Sequence, residues 1–266
     1  MTLRTLWLTA ALLAPACGFT APASGDDSTG PGGPGGPGSP GSPAARHCDT
    51  SDSSLRLCID FDDQQALTGD GSSFHHDATE SGISVMPRDQ EQAALLSTAS
   101  RVRVPETADL DITSNLTVSL WARPDAHPST GAFWALDNNK QYAISYQPTG
   151  TFRCGLGPDT VDTAIWFDPG YWHFIACTFD QQAKMLKISV DGTTAGCRTV
   201  DHAIATNGNE GTAIGANINA GPTFSEQFVG GLDDIQVFAR TFTTSQICDA
   251  SGADYCYSPC PLGQGD

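Results

Sequence analysis

Carboxylates dominate the ionisable side chains of this sequence, with 30 Asp and Glu against 13 Lys and Arg and a formal net charge of −17 at pH 7. Carboxylate oxygens suit two kinds of chemistry: binding of a hard cation such as Ca²⁺, and acid–base catalysis by a pair of acids. The simplest explanation for most of these acids is a soluble surface. Since the charge repels phosphate backbones, it argues against nucleic acid as a partner.

Paired catalytic carboxylates have a spacing requirement that this chain does not meet in an obvious way. A retaining glycoside hydrolase needs two carboxyl groups about 5–5.5 Å apart, commonly on alternate residues of one strand. The five glutamates lie too far apart in the sequence for that motif: Glu80, Glu91, Glu106, Glu210 and Glu226. Asp233 and Asp234 are adjacent, so in a regular strand they would point to opposite faces. An enzyme, in the form of a glycoside hydrolase with an unusual carboxylate pair, is therefore the weakest hypothesis.

Nine cysteines form the second reactive set, and one of them stands apart from the others. Cys17 precedes a Gly/Pro-rich tract, whereas the other eight form an even set: Cys48, Cys58, Cys154, Cys177, Cys197, Cys248, Cys256 and Cys260. An even number of cysteines in an exported chain predicts disulfides, and eight allow 105 connectivities. The sequence therefore predicts four bridges and a separate role for Cys17.

Residues 1–16 have the features of an export signal, with Arg4 followed by the apolar run "LWLTAALL" and the small-residue site Ala14-Pro15-Ala16. An ordinary signal peptidase would leave Cys17 as a free thiol, and a lipoprotein peptidase would leave it acylated. "LAPAC" resembles the lipobox of bacterial lipoproteins. The resemblance implies a lipid anchor at Cys17, and an outer-membrane or cell-surface location, or secretion if Cys17 is not acylated.

Residues 17–46 contain almost no large apolar side chains, and "GGPGGPGSPGSP" repeats Gly-X-Pro four times. Four triplets are too few for a collagen-like triple helix, so this composition predicts a disordered linker. The linker would act as a stalk between an anchor and a folded domain at residues 47–262, which ends in a cysteine-rich tail.

From Cys48 onward, short alternating segments are separated by Gly, Asn, Asp and Pro, a pattern that predicts an all-β fold. The clearest strand candidates are residues 55–61, 116–123, 141–146, 151–156, 171–179, 184–190 and 231–239. Asp191-Gly192 is a strong hairpin signal. In the segment 171–179 both alternating sets are largely apolar, which indicates a central strand covered on each face.

Five segments, in order, resemble the laminin G-like, concanavalin A-like family. They are "CIDFDD", "DGSSFHHDAT", "LTVSLWARPD", "YWHFIACTFDQQAKMLKISVDGTTAG" and "FVGGLDDIQVFARTFTTSQI", which together span roughly residues 52–247. The resemblance implies an antiparallel β-sandwich of the jelly-roll type. It also implies that the first and last strands pair, and that the cysteines flanking them join the chain ends.

The resemblance carries two further expectations about sites. In resembling domains a structural calcium ion often ties the loop after the first strand to the closing strand, which makes Asp62, Asp70, Asp77 and Asp233 candidate ligands. Turn-forming and surface roles are the alternative for these aspartates. The segments that hold Cys154 and Cys177 are expected to be neighbours in one sheet, which makes a bridge between them one of the open pairings.

Ligand binding is predicted in loops that combine aromatic rings with amides, since sugars stack on the rings while polar groups bind the hydroxyls. The candidates are Trp134, Asn138, Asn139 and Trp166, with core packing as the alternative for the tryptophans. The sequence thus favours a non-catalytic extracellular module that binds carbohydrate. Protein–protein adhesion or a structural role in the envelope is the main alternative.

Overall fold

The computed structural model describes residues 48–139, 141–206, 210–218 and 223–260. The predicted signal at 1–16, Cys17 and the predicted linker at 17–46 lie outside the described residues. Within the described part of the chain, no helix is both long and apolar enough to cross a membrane.

Two antiparallel sheets make up the fold, which confirms the predicted all-β sandwich. The first sheet has the order β13-β12-β11-β6-β17-β4-β3, with β1 also paired to β17. Its strands are β1 (Leu55–Ile59), β3 (Ser84–Arg88), β4 (Glu91–Leu96), β6 (Leu116–Pro124), β11 (His173–Asp180), β12 (Met185–Val190), β13 (Thr193–Thr199) and β17 (Gly230–Phe238). Because β1 pairs with β17, the first and last strands are neighbours, as predicted.

The second sheet has the order β10-β9-β8-β7-β14-β5-β2. Its strands are β2 (Thr79–Ser81), β5 (Arg101–Val104), β7 (Phe133–Asp137), β8 (Tyr142–Tyr146), β9 (Phe152–Leu156), β10 (Asp159–Asp162) and β14 (Thr212–Ile214). A small hairpin, β15 (Asn217–Ile218) with β16 (Phe224–Ser225), completes the strands of the described residues. Each of the seven strand candidates read from the sequence corresponds to one strand here.

The core lies between the sheets and follows the period of two that strands impose on their side chains. In β6, Leu116, Val118, Leu120 and Ala122 are fully buried in the main cluster, while the alternate residues point to the outer face. Burial of these side chains from both sheets is what holds the layers together, since each large aliphatic side chain contributes about 1.5–3 kcal/mol.

The outer face of β11 is covered as the sequence predicts, although the cover is a helix. Phe174 and Ala176 point away from the core and pack against Ile247 of α1 (Thr244–Ser251). Thr243 caps this helix: its hydroxyl accepts a hydrogen bond from the Gln246 amide, and the Thr243 amide donates one to the Gln246 side-chain oxygen. This capping box stabilises a helix too short to persist alone.

The turn between β12 and β13 is formed by Asp191 and Gly192, as predicted. Both residues have positive φ, 49° and 79°, which is the conformation that a two-residue hairpin turn of the primed type requires. Asp191 also accepts hydrogen bonds from the Phe174 amide and pairs with the His173 ring, so the turn is fixed to β11.

Four disulfides are formed, Cys48–Cys58, Cys154–Cys177, Cys197–Cys260 and Cys248–Cys256. The Cys154–Cys177 bridge forms, but the expectation that the two segments are neighbours in one sheet is wrong. Cys154 lies in β9 and Cys177 in β11, so the bridge crosses the core between the two sheets. The expected joining of the chain ends is also wrong. Cys48–Cys58 is local to the first strand, and the other two bridges fix the C-terminal tail to itself and to β13.

We expect the double substitution Cys154→Ala/Cys177→Ala to lower the free energy of unfolding by about 2–5 kcal/mol, because it removes the covalent link between the sheets. Urea denaturation of the oxidised protein measures the change. The matched control is Cys48→Ala/Cys58→Ala, whose bridge closes a shorter loop and should cost less. Equal losses for the two double variants would contradict the special role of the inter-sheet bridge.

Candidate functional site

Asp233 and Asp234 do not point to opposite faces of β17, because the strand is not regular at this point. The register with β6 shifts between Asp233 and Gln236, and Asp234 adopts a left-handed backbone conformation with φ 46°. Such a bulge turns consecutive side chains toward the same side of the sheet. The argument from a regular strand is therefore wrong, and the two carboxylates share one partner.

That partner is Arg88, at the end of β3. Its Nε donates to Asp233 Oδ2 at 2.5 Å, and its second amino group donates to Asp234 Oδ2 at 2.5 Å and to Glu91 Oε2 at 3.0 Å. The guanidinium also lies 5.0 Å from the centre of the Trp121 ring. Arg88 and both aspartates are buried, so the fixed fork of donors compensates for carboxylates removed from water.

The charge in this cluster is unbalanced, with three carboxylates around one guanidinium. Burial first, and then the neighbouring Asp234 carboxylate, raise the pKa of Asp233, whereas Arg88 acts in the opposite direction, and together these effects give a pKa of about 8. The oxygens of Glu91, Asp233 and Asp234 lie within 4.8 Å of one another, the described chain's single grouping of this kind. Arg88 already occupies the position between them.

The predicted calcium ligands are not gathered into one cluster among the described residues. Asp70 accepts hydrogen bonds from the amides of Cys58, Ser72 and His76, and Asp77 accepts one from the Asp70 amide. These contacts fold the loop between β1 and β2.

The other two predicted ligands lie elsewhere: Asp62 accepts a hydrogen bond from the Gln92 amide, and Asp233 binds Arg88. Each carboxylate thus has a donor from the protein, and calcium at these four positions stays a prediction.

The four predicted ligand-binding residues separate to opposite ends of the sandwich. Asn138 follows the C-terminal end of β7, is 1% exposed, and donates hydrogen bonds to the Tyr142 hydroxyl and to Thr212 Oγ1. Asn139 continues the same turn with φ 38°. Trp134 and Trp166 lie at the other end, near the N-terminus of β7 and after the C-terminus of β10. The structure therefore places the two tryptophans at one end of the sandwich and the two asparagines at the opposite end.

Trp166 is one of three large apolar side chains exposed in the segment 163–172, with Ile165 and Tyr171. Their exposed fractions are 64% for Trp166, 60% for Ile165 and 66% for Tyr171. Asp168, also exposed, lies between the two aromatic residues and contributes, after burial, to raising the pKa of Tyr146 to about 12. We call residues 163–172 the aromatic loop.

The aromatic loop is fixed by main-chain hydrogen bonds to the loop that contains Gly150 and to the end of β6. Phe167 donates its amide to the Gly150 carbonyl at 2.7 Å, and Gly170 donates to the Pro124 carbonyl at 2.7 Å. Gly150 has φ 81°, and a Cβ at this position would lie 3.0 Å from the His127 ring and 3.4 Å from Trp166. The close approach of the three loops thus depends on a glycine here.

Trp134 is held from another direction, by Glu226, a residue that the sequence did not single out as a site residue. The Trp134 indole nitrogen donates to Glu226 Oε2 at 3.0 Å, and the Ala132 amide donates to Glu226 Oε1 at 3.3 Å. Glu226 has φ 49°, and its carbonyl accepts from the Trp134 amide. Neither motif nor spacing linked Trp134 and Glu226, which are 92 positions apart in the sequence, and Tyr171 was not predicted as a site residue either.

The described residues thus place exposed aromatic rings on hydrogen-bonded loops at one end of a β-sandwich. A family model described as the concanavalin A-like lectin/glucanases superfamily (Laminin_G_3) matches residues 96–248, more than half of the 266 residues. The chain belongs to this family. The match begins at the end of β4, so the first strand and the loop after it lie outside it.

Solved structures with the same fold include one domain of an arabinanase and two binding domains. Domain 4 of AbnA, an extracellular GH43 arabinanase from Geobacillus stearothermophilus, solved with arabinotriose, is 22% identical, with a TM-score of 0.57, over 74% of this chain and 98% of that one. The binding domain of Paraclostridial Mosquitocidal Protein 1 is 16% identical, with a TM-score of 0.59, over 74% and 52% of the two chains. The binding domain of botulinum neurotoxin DC, solved with rat synaptotagmin II, is 15% identical, with a TM-score of 0.59, over 75% of this chain and 51% of that one.

The chain thus spans about half the length of the two toxin domains, and at these identities the likeness concerns the fold. A search of the curated proteins finds no match.

The Asp233 carboxyl predicts a measurable pH dependence. Its pKa is about 8 in the folded chain and about 4 in the unfolded chain. Between these two pH values the folded state keeps a proton that the unfolded state has released, so the free energy of unfolding falls as pH rises through this window. Asp233→Asn imitates the protonated acid. The free energy of unfolding of the variant minus that of the wild type should therefore increase, by on the order of a few kcal/mol, between pH 5 and pH 8.5.

Urea denaturation at several pH values measures this difference, and Asp249→Asn, at an exposed position of α1, is the matched control. A constant difference between wild type and Asp233→Asn across the range would contradict the raised pKa.

Proposed function

We propose that this protein binds carbohydrate outside the cell, without catalysis, through Trp166 and Tyr171 of the aromatic loop together with Trp134. The observation that carries the proposal is the exposure of two aromatic rings, 64% and 66%, on a loop held in place at both ends. Leaving such rings in water forgoes the free energy that burial would supply, and exposed apolar groups clustered together are typical of an interaction site.

The polar groups beside the rings suit a sugar. Asp125, His127 and Asp168 are exposed on the same three loops. Carboxylate and imidazole groups bind hydroxyls, while the apolar face of a sugar ring stacks on Trp or Tyr. Trp134 would contribute a ring whose indole N–H is already bound to Glu226, which leaves its face for stacking.

The absence of catalysis is part of the proposal, and the acidic cluster supports it. Asp233 and Asp234 are adjacent in space, but both are buried and both bind Arg88, so neither carboxylate faces an open cleft. A hydrolase would need one of them free to reach the glycosidic oxygen. The fold likeness to the arabinanase domain solved with arabinotriose agrees with sugar binding.

Adhesion to a protein is the second candidate, and Ile165 favours it. An aliphatic side chain that is 60% exposed beside Trp166 adds nothing to sugar stacking but would be covered by a protein partner. The fold likeness to a toxin domain solved with synaptotagmin II agrees with this use. Both candidates employ the aromatic loop, and the ligand distinguishes them.

We expect saturable binding of the full chain, exported and oxidised, to at least one member of a broad glycan array, and a loss of about tenfold or more in affinity in Trp166→Ala and Tyr171→Ala. Tyr255→Ala, which removes an exposed tyrosine from the C-terminal tail, is the matched control and should bind as the wild type does.

The array is probed with calcium and again with EDTA, since binding lost in EDTA would support the calcium prediction. If the folded protein bound no glycan of the array, this result would contradict the carbohydrate proposal. Capture of a protein partner that Ile165→Ser weakens would then support adhesion.

We also propose that Cys17 anchors the protein to a membrane by acylation after cleavage before Cys17. The pairing of all eight other cysteines supports an exported chain and leaves Cys17 without a disulfide role. The intact mass of the detergent-extracted protein should carry an acyl increment on Cys17, and Cys17→Ser should appear in the soluble fraction. A mass without that increment would overturn the anchor.

A further inference from the structure

A cavity of about 530 Å³ opens on the outer face of the first sheet, over β11 and β12 and beside the start of α1. It lies toward the C-terminal end of β11, whereas the aromatic loop precedes the N-terminal end of that strand. The volume is within the range of small-molecule sites in proteins. We call this cavity the β12 pocket.

Lys187 lines the β12 pocket, between Met185 and Ser189 of the same strand, which also line it. It belongs to β12, opposite Thr178 of β11 and Cys197 of β13, and is half-buried. No carboxylate of the described residues lies within ion-pair distance of its amino group, and it makes no hydrogen bond to them. The nearby Lys184, in contrast, is 60% exposed and pairs with Asp201.

An unpaired lysine in this position is unexpected in a chain with 30 acidic residues and only three lysines. Because Lys187 lines a cavity and has no carboxylate partner among the described residues, its ammonium group is available to bind an anion. The start of α1 at the same pocket, with Thr243 and Thr244 in its lining, adds the positive end of a helix dipole. Both features favour a negatively charged group in the cavity.

The remainder of the lining suits a hydroxylated ring better than a bare ion. Thr178, Ser189 and Thr194 supply hydroxyl groups on the floor, and Phe242 and Ile247 form an apolar wall. Asp180 is the one acidic residue in the lining, and its Oδ1 accepts the Ala183 amide at 2.9 Å. A carboxylate of this kind can accept a sugar hydroxyl, whereas it would repel a multiply charged phosphate.

We propose that the β12 pocket binds a sugar unit that carries one carboxylate, of the hexuronic acid class. The carboxylate is bound by the Lys187 ammonium group and the ring hydroxyls by the threonine and serine side chains and Asp180. The apolar face of the ring packs on Phe242. This site is separate from the aromatic loop and does not depend on the proposal made for it.

The test is a titration of the ¹⁵N-labelled full chain with D-glucuronate, followed by amide chemical shifts. Saturable shifts are expected in β11, β12 and the first turn of α1. Lys187→Met keeps an unbranched side chain of similar length and should weaken binding at least tenfold, while Lys184→Met, the matched control, should leave it unchanged. Trp166→Ala should also leave it unchanged, which separates this site from the aromatic loop.

D-glucose and acetate distinguish the sources of affinity. Both are expected to bind at least tenfold more weakly than glucuronate, because the first lacks the charge and the second lacks the ring. If acetate bound as tightly as glucuronate, or if Lys187→Met bound as the wild type does, the proposal would be overturned. Should Lys187→Met fail to fold, Thr178→Val is the second variant. It removes one pocket hydroxyl at nearly constant shape and should weaken glucuronate binding; unchanged binding would overturn the proposal.

Discussion

The irregularity of β17 at Asp233 and Asp234 is the constraint on which the arrangement of the first sheet depends. Along one edge β17 pairs with β6, but its other edge is shared by two strands, β4 beside Gly230–Leu232 and β1 beside Ile235–Phe238. The bulge occupies the point where one partner ends and the other begins. Two carboxylates are buried there, which is tolerable only because Arg88 lies between them and donates to both.

This contact connects the sheet to the proposed binding loops. Arg88 lies over Trp121 of β6 and within 6.0 Å of the Trp172 ring centre, at the end of the aromatic loop. Two residues beyond Trp121, Arg123 donates to the Gly170 carbonyl of the same loop. On the other side, the segment that leads into β17 contains Glu226, which holds Trp134. The Arg88 cluster thus contacts the last residue of the aromatic loop directly, and β6 adds a second contact through Arg123.

Local sequence patterns predicted the all-β class and seven of its strands, the family resemblance implied the sandwich, and the long-range geometry was not predictable from the local patterns. Alternation identifies a strand such as residues 116–123, and the Asp191-Gly192 pair identifies the turn after residues 184–190, because both signals arise from neighbouring residues. The bulge at Asp234 requires a left-handed backbone at an aspartate, which no alternation pattern indicates. The bridge between Cys154 and Cys177 was among the open pairings, but its course across the core depends on the packing of the two sheets.

The binding residues show the same division. Trp134 and Trp166 were predicted from residue type, since few side chains suit a sugar face as well as tryptophan does. Asn138 fits the same criterion, yet its side chain satisfies the buried Tyr142 hydroxyl, a role decided by register between β7 and β8. Glu226 and Lys187 were not singled out, because what distinguishes them is the presence or absence of a partner far away in the chain.

Fixing the aromatic loop before a ligand arrives has an energetic consequence for binding. Ordering a rotamer-rich side chain at an interface costs about 0.5–1.5 kcal/mol, and ordering a loop costs more. Here the backbone is already held by the amides of Phe167 and Gly170, and tryptophan and tyrosine have only two side-chain torsions each. For the carbohydrate binding proposed above, the contacts with β6 that already hold the loop would reduce the free energy that a weakly bound sugar must supply.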